Sequence, residues 1–556
     1  MSGVAVDAAM IPSLPDHATV TGMQVGSNAP AQTFRWGQRM NDTTHRPGPD
    51  RRAILEMGAA AAASLTVASS AAGAATGPSE IVRMDARSLG RAIAARKLSS
   101  VEVMNAYLDH IAMLNPNVNA IVALQDRGDL LAQARARDAQ AARGEIMGPL
   151  HCFPHAPKDL QSVKGIRSTS GSPILKDFVP TRDSLMVERL RGAGAVFIGK
   201  TNTPEFGLGS HTYNQVYGAT RNAYDQSKSA GGSSGGAAVS LALRMLPLAD
   251  GSDYGGSLRN PAGWNNVFGF RTSFGVVPIA GDEVWLPSMG VTGPMARSVS
   301  DLALLLSVQA GADPRAPLSV AGEGRRFLAP LASNVKGKRV GWLGDLNGAV
   351  PYEPGVLDVC RGALKTFESM GCVVEAAVPD AAPEPAWQAF VRLRQWQQGG
   401  AIAAYYADSA KRALLKSEAI WEIEGGMKLS AFDITAASTV RSAWAASVRR
   451  LFERYDYLLM PTAQVFPFDV GETWPHAIAG QTMQTYHEWM KAVCLISLAG
   501  CPSLAVPAGF GANGQPMGLQ IIAPVHQEMD CLKLGFAYES AMDRTAQRLP
   551  SLLTHA

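Results

Sequence analysis

The chain has almost no excess of charge of either sign: 50 lysines and arginines face 47 aspartates and glutamates, a formal net charge of +3 over 556 residues. Without a basic surplus or any block of like charges, there is no electrostatic ground for nucleic acid as the main partner. Cysteine is scarce as well. The six, Cys152, Cys360, Cys372, Cys494, Cys501 and Cys531, are spaced neither as a zinc ribbon nor as a dense disulfide scaffold. Free buried thiols are therefore expected, and a structural metal or other cofactor is not. No apolar run in residues 80–550 stands out as a membrane helix, no internal repeat is evident, and nothing marks a second independent core. What the chain does have is core material, 47% hydrophobic, enough for one large α/β domain.

The first 79 residues differ in kind from the rest. Residues 1–50 are polar, rich in Pro, Asp and Thr and without periodicity, which reads as disorder. Residues 51–79 open with Arg51-Arg52 ahead of Ala53, Ile54 and Leu55, and carry no charge from Met57 to Ser79. This pattern, with Ala72-Gly73-Ala74 as a small-residue cleavage site, resembles a twin-arginine export signal. Export would make the mature protein periplasmic or secreted. The other reading is a flexible Ala-rich linker on a cytoplasmic protein, and the long region ahead of the arginine pair favours it.

From residue 80 to 556 the patterns are those of one domain. Ser99 and Glu102 have capping-box spacing, and Val103, Tyr107 and Ile111 form a helical stripe that Pro116 is expected to end. Helices are predicted over about 128–143, 184–191, 235–245, 301–310 and 356–370, and near 531–542. Residues 385–450 read as helical throughout. Short buried strands are predicted at 195–199, 248–249, 339–343, 373–377, 457–460, 503–506 and 519–522. Alternation of this kind argues for an α/β sheet covered by helices on both faces.

The chain is organised around Ser229 to Arg259. Two glycine turns, Gly231–Gly236 and Gly255–Gly256, bracket an apolar run, and each presents serine: Ser233 and Ser234 in the first, Ser257 in the second. Lys158 stands 75 residues before Ser233, at the end of an apolar stretch. A lysine is a general base only when neutral, which burial favours. Ser233 is placed to relay a proton between that amine and Ser257, and N–H groups around Ser257 to face a developing oxyanion. Each residue also has a plainer reading: Lys158 paired with Asp159 at the surface, Ser233 a helix cap, Ser257 a turn residue. All three plain readings at once, beside two glycine clusters, are a poor account of the pattern.

These residues resemble the amidase-signature hydrolases, over roughly Glu80 to the C-terminus. The stretch GGSSGG…DGSDYGGSLRNP from Gly231 to Pro261 carries most of the likeness, with the two serines 24 residues apart. Gly199-Lys200-Thr201-Asn202, Pro204-Glu205, Gly218–Asn222, Gly290–Asp301 and Pro502–Pro507 add to it. The resemblance implies a mixed multi-stranded sheet sandwiched by helices and an amidase that needs no cofactor. It implies Ser257 as nucleophile, Lys158 as base and Ser233 as bridging serine, after a cis Gly232-Ser233 peptide. The oxyanion hole would be the N–H groups of Tyr254, Gly255, Gly256 and Ser257, with Asp253 and Arg259 supporting the loop.

Two positions depart from the pattern. Cys152 stands where glycine is usual, and Pro157 where an apolar residue with a free N–H is usual; both are expected to reshape the pocket beside Lys158. A cysteine mechanism is not expected, since His151 points away from Cys152 in an extended strand. The reading that follows is hydrolysis of a carboxamide in a neutral, moderately hydrophobic small molecule. The aromatics between Trp387 and Trp444, with Tyr486, His487 and Trp489, are expected to shape its pocket. Esters and carbamates are alternatives on the same three residues. Another is membership of a glutamine-dependent amidotransferase that works on charged tRNA with partner subunits. A monomer or homodimer without stable membrane insertion is expected.

Overall fold

The strands Tyr457–Pro461, Ser503–Phe510 and Pro516–Ile522 have hardly a polar position, and such strands are stable only when covered on both faces. The computed structural model describes residues 79–286, 288–542 and 548–554. It places these strands with five others, of four to six residues, in one mixed sheet of eight. In chain order they are β1 (Ala249–Asp253), β2 (Phe268–Arg271), β3 (Val291–Ala296), β4 (Arg339–Trp342), β5 (Val373–Ala376), β6 (Tyr457–Pro461), β7 (Ser503–Phe510) and β8 (Pro516–Ile522). Their order in space is β1-β3-β2-β7-β8-β6-β4-β5. Neighbours from β1 to β6 pair antiparallel, and β6-β4 and β4-β5 pair parallel. Helices flank the sheet: Arg259–Trp264 packs on β7 and β8, and Val356–Ser369 packs on the same two strands.

Most predicted elements are present within a residue or two. The helix Ser100–Val118 starts with the full capping box of Ser99 and Glu102. Pro116 does not end it, contrary to expectation. The helix runs two residues further and closes on Asn119, whose φ of 52° is left-handed. Pro116 forgoes its own N–H bond in the last turn, and the helix continues past it to the bond of the Asn119 N–H with Asn115 O at 2.8 Å. The helical region 385–450 is five α-helices, between Pro383 and Leu451, interrupted by a π-helical turn at Gln395–Gly399. Two strands of this sheet have no counterpart among the predicted ones. β2 (FGFR) and β3 (VTGPMA) contain Gly or Pro and look like punctuation, yet each has ladder partners on both sides. Pairing across the sheet overrides their weak local propensity.

The expected disorder of residues 1–50 and the arginine-pair segment, apart from Ser79, lie outside the described residues. Among the described residues, no helix is long and apolar enough to cross a membrane. All six cysteines are free and buried, as their spacing suggested.

Candidate active site

The site lies at one margin of the sheet, where β1 leaves the core and the chain turns sharply before the helix Arg259–Trp264. The first glycine turn enters the helix Gly235–Ala242, all eight residues of which are buried. That helix packs on β1, and Gly251 allows the approach: a Cβ there would stand 2.6 Å from Ser234 Oγ and 2.6 Å from Leu258. The Ser234 N–H donates to the Ser257 carbonyl at 3.2 Å, joining the two serine turns. The Gly232–Ser233 peptide is cis, as the resemblance implied.

Lys158 reaches this junction from the other side. Its backbone runs beside Thr201, where the Thr201 N–H donates to Pro157 O at 3.2 Å and the Asp159 N–H to Thr201 O at 3.0 Å. The Lys158 N–H donates to Asp250 Oδ2 at 3.2 Å, and the other Asp250 oxygen meets His155 Nε2 at 2.9 Å. Asp159 is no surface partner for Lys158. It is buried, accepts from Thr169, and lies 3.7 Å from the buried Lys200. Lys158 Nζ itself meets three hydroxyls: Ser233 Oγ at 2.7 Å, Ser234 Oγ at 2.9 Å and Ser252 Oγ at 3.0 Å.

Burial pulls the Lys158 ammonium down to about 7, against the opposing pull of Asp250 and Asp253. At neutral pH a large share of it is therefore a free amine. A neutral amine has two N–H donors and one lone pair, so of its three hydroxyl neighbours two accept and one must donate to it. Hydroxyls can take either role by rotation. The arrangement thus suits both protonation states without leaving a buried polar atom unpaired.

The loop after β1 is held by an ionic cluster. Arg259 pairs with both oxygens of Asp253, Nε to Oδ2 at 3.0 Å and Nη2 to Oδ1 at 2.9 Å. Arg271 adds a bond to the Asp253 carbonyl at 2.7 Å. Burial alone would raise the Asp253 carboxyl, but Arg259 and then Arg271 hold it well below the usual carboxylate range. Asp253 also caps the turn, accepting the Gly256 N–H at 2.9 Å and the Leu258 N–H at 3.1 Å. Gly256 has φ +104°, and a Cβ on it would meet Asn260 Oδ1 at 2.1 Å; only glycine fits. Of the four N–H groups expected to form an oxyanion hole, that of Gly256 is committed to Asp253. Those of Tyr254, Gly255 and Ser257 have no partner among the described residues.

Ser233, Ser252 and Ser257 line a cavity of about 700 Å³. Its walls include the apolar Leu160, Phe206, Ile279, Leu286 and Trp396 and the exposed Asp282 and Glu283, while Arg394 and Gln397 add polar groups. Tyr254 also lines it, and its hydroxyl donates to Gln397 Oε1 at 2.6 Å.

Lys158, Ser233 and Ser257 are thus brought together, with Asp253 and Arg259 behind the loop. Ser252, Asp250, His155 and Arg271 are not singled out in the sequence, which places Ser234 in the first glycine turn without a role at Lys158. Ser252 and Asp250 stand within the DGSDYGGS stretch, and strand alternation around Asp253 was the one signal that could have placed them. The aromatic expectation needs correcting. Trp387 and Phe390 stack in the core with centroids 5.6 Å apart, and Trp444 is buried. Only Trp396 of that group lines the cavity directly, while Tyr405 stacks on its wall residue Phe206 at 5.6 Å. Trp489 stacks on Trp264 instead.

Cys152 is corrected too. It is buried, is not among the residues lining the cavity, and its Sγ faces Ser100 O at 3.9 Å. Its φ of 60° is the left-handed conformation that makes glycine usual there. Burial pushes its thiol up to about 11. His151 bonds elsewhere, to the Met147 N–H and the Arg137 carbonyl. Of the other quoted motifs, Gly290, Val291 and Thr292 line the cavity, while Asn202 and Asn222 are scaffold: Asn202 Nδ2 donates to Gly218 O at 3.2 Å, and Asn222 Nδ2 to Trp264 O at 2.9 Å.

The family model described as Amidase matches residues 102–532. An acylamidase of Rhodococcus erythropolis is 33% identical over 461 residues, which is 82% of this chain and 96% of the relative. One subunit of the glutamyl-tRNA(Gln) amidotransferase of Thermosynechococcus vestitus is 33% identical over 474 residues, 81% of this chain and 96% of the relative. Among solved structures, a bacterial aryl acylamidase of the amidase-signature enzymes superposes with a TM-score of 0.78 at 28% identity, over 84% of this chain and 98% of its own. The peptide amidase of Stenotrophomonas maltophilia superposes with a TM-score of 0.69 at 27% identity, over 84% and 98%.

Proposed function

The chain belongs to the amidase-signature family of Ser/Lys hydrolases acting on amide and ester bonds, and from that premise we propose that it hydrolyses a neutral, moderately hydrophobic small carboxamide. The observation that carries this reading is the cavity: about 700 Å³ reaches Ser257 along a wall of Leu160, Phe206, Ile279, Leu286 and Trp396. An aryl or branched aliphatic group on either side of the amide gains by leaving water against such a wall. The names of an acylamidase and an aryl acylamidase among its relatives support the same class.

In the proposed reaction the neutral Lys158 amine accepts the Ser233 proton as Ser233 accepts that of Ser257. The Ser257 oxygen attacks the amide carbon. The N–H groups of Tyr254, Gly255 and Ser257 hold the oxyanion, each such donor being worth ~3 kcal/mol to the transition state. The proton returns through Ser233 to the departing amine, and water then resolves the acyl-enzyme. Asp253, fixed by Arg259 and Arg271, keeps the loop in register during both halves.

Hydrolysis of a panel of aryl, aliphatic, amino-acid and cyclic amides tests the reading. Highest kcat/KM is expected on anilides or aliphatic amides with an apolar acyl group. Turnover confined to glutamine, and only with a partner protein present, would replace this reading with an amidotransferase one.

A further inference from the structure

Ser257 also lines a second, much smaller space. It measures about 10 Å³ for the centre of a water molecule, close to the ~10–15 Å³ that one bound water requires. Gly207, Ser257 and Arg394 line both this void and the main cavity, so the two spaces adjoin at the nucleophile. Much of its remaining wall is apolar, from Phe390, Met490 and Cys494. The exception is His487.

His487 is 1% exposed and packed among Trp387, Trp421 and Tyr486. Its Nδ1 meets Thr485 Oγ1 at 2.9 Å, but its Nε2 has no hydrogen-bond partner. The nearest carboxylate oxygen, Glu422 Oε1, is 3.6 Å away and already takes Arg394 Nε at 2.7 Å and the Tyr486 hydroxyl. Glu422 Oε2 is likewise buried and unpartnered. Burial keeps the imidazole below its ordinary value, with Glu422 opposing, so near neutral pH it offers one donor and one acceptor. A buried polar atom without a partner costs about 1–3 kcal/mol, and a polar gap wider than a hydrogen bond is the usual seat of a bridging water.

We propose that this void binds a single water molecule on His487 Nε2, and that this water hydrolyses the acyl-enzyme on Ser257. The inference rests on the serine acyl-enzyme reading above. The void shares Gly207 and Ser257 with the main cavity, so a water held in it stands beside the acyl ester. The water oxygen bonds to the acyl carbon as the bond from that carbon to Ser257 Oγ breaks. One water proton passes through Ser233 and Lys158 to Ser257 Oγ, and the carboxylic acid leaves with the other. His487 is a positioning residue in this step; it orients the water and takes no proton.

The test is stopped-flow hydrolysis of a chromogenic ester and an anilide by His487→Phe and His487→Gln. His487→Phe keeps an aromatic ring in the cage and removes the polar atom. Its acylation burst should match the parent, while deacylation falls roughly 10- to 100-fold, the effect of a misplaced reactant. On the ester, KM should fall with kcat, leaving kcat/KM unchanged, and His487→Gln should recover much of the loss. Equal losses in acylation and deacylation, or parental deacylation in His487→Phe, would overturn the water site. Should both variants fail to fold, a high-resolution crystal structure of the parent decides: a water within hydrogen-bond distance of His487 Nε2 is required. A parent that forms no adduct on Ser257 would instead sink the acyl-enzyme reading, whatever His487 does.

Discussion

Lys158 Nζ lies 2.7 Å from Ser233 Oγ, and the lysine is buried so fully that it holds its proton only to about pH 7. The amine must lose that proton to act as base, so kcat/KM should rise with pH through about 7 and then level off. A pH–rate profile on a neutral amide measures this. A flat profile from pH 5.5 to 9 would remove Lys158 from the role.

The same burial bears on stability. The unfolded chain holds Lys158 at its ordinary 10.5 and the folded chain at about 7, so between these values the unfolded state binds more protons. Relative to Lys158→Met, the parent should carry its full penalty below pH 7 and regain stability as pH rises toward 10.5. Denaturant unfolding of both proteins at pH 6.5 and pH 9.5 gives the comparison. Lys158→Met should also be almost inactive.

With Ser234 and Ser252 accepting its two N–H bonds, the neutral amine would turn its lone pair to Ser233. Ser252→Ala should lower kcat by roughly 10-fold with little change in KM, since a general base loses rate when misaligned. Ser257→Ala should abolish both turnover and the acylation burst. Mass spectrometry after a fluorophosphonate should show one adduct, on Ser257; an adduct on Ser233 or Ser234 would move the nucleophile.

Arg259→Met leaves the buried Asp253 carboxylate with Arg271 alone. Breaking such a pair costs about 3–5 kcal/mol, and the turn carrying Ser257 should lose order with it. A lower urea midpoint and a fall in kcat/KM are expected together. Arg259→Lys should rescue little, because a lysine ammonium lacks the planar fork and the further donors by which Arg259 also holds Val493 O, Gln520 and Ser497.

All six thiols are buried, and burial holds that of Cys152 up to about 11. Iodoacetamide at pH 8 should therefore neither label nor inhibit the native enzyme, and Cys152→Gly should keep nearly full activity. Rapid inactivation with an adduct on Cys152 would contradict this.

Export remains a proposal resting on Arg51-Arg52 and the uncharged stretch that follows. Replacing both arginines with lysine should keep the protein inside the cell, and N-terminal sequencing of the mature parent should begin beyond Ala74. An intact cytoplasmic N-terminus would dismiss it.

Local chemistry was legible in the sequence wherever one residue type answers one demand. The capping box at Ser99 and Glu102, the serines of the two glycine turns and the apolar strands around Leu458, Leu504 and Leu519 are of this kind, because periodicity and special backbone geometry are written in neighbouring residues. Tertiary structure alone decided the rest. Asp250, Ser252 and Arg271 meet Lys158 or Asp253 only after β1, β2 and β3 pair in the sheet. The Gly256 N–H is taken by Asp253 through a turn whose shape Arg259 sets from within the following helix. Trp387 and Phe390 stack in the core and Trp396 lines the cavity, and helical spacing already sets 396 about 180° round the axis from 387; the π-helical turn at Gln395–Gly399 that carries Trp396 came only with the packing. Helical spacing cannot reveal such a turn, since its extra residue is held by packing between helices rather than by any local preference.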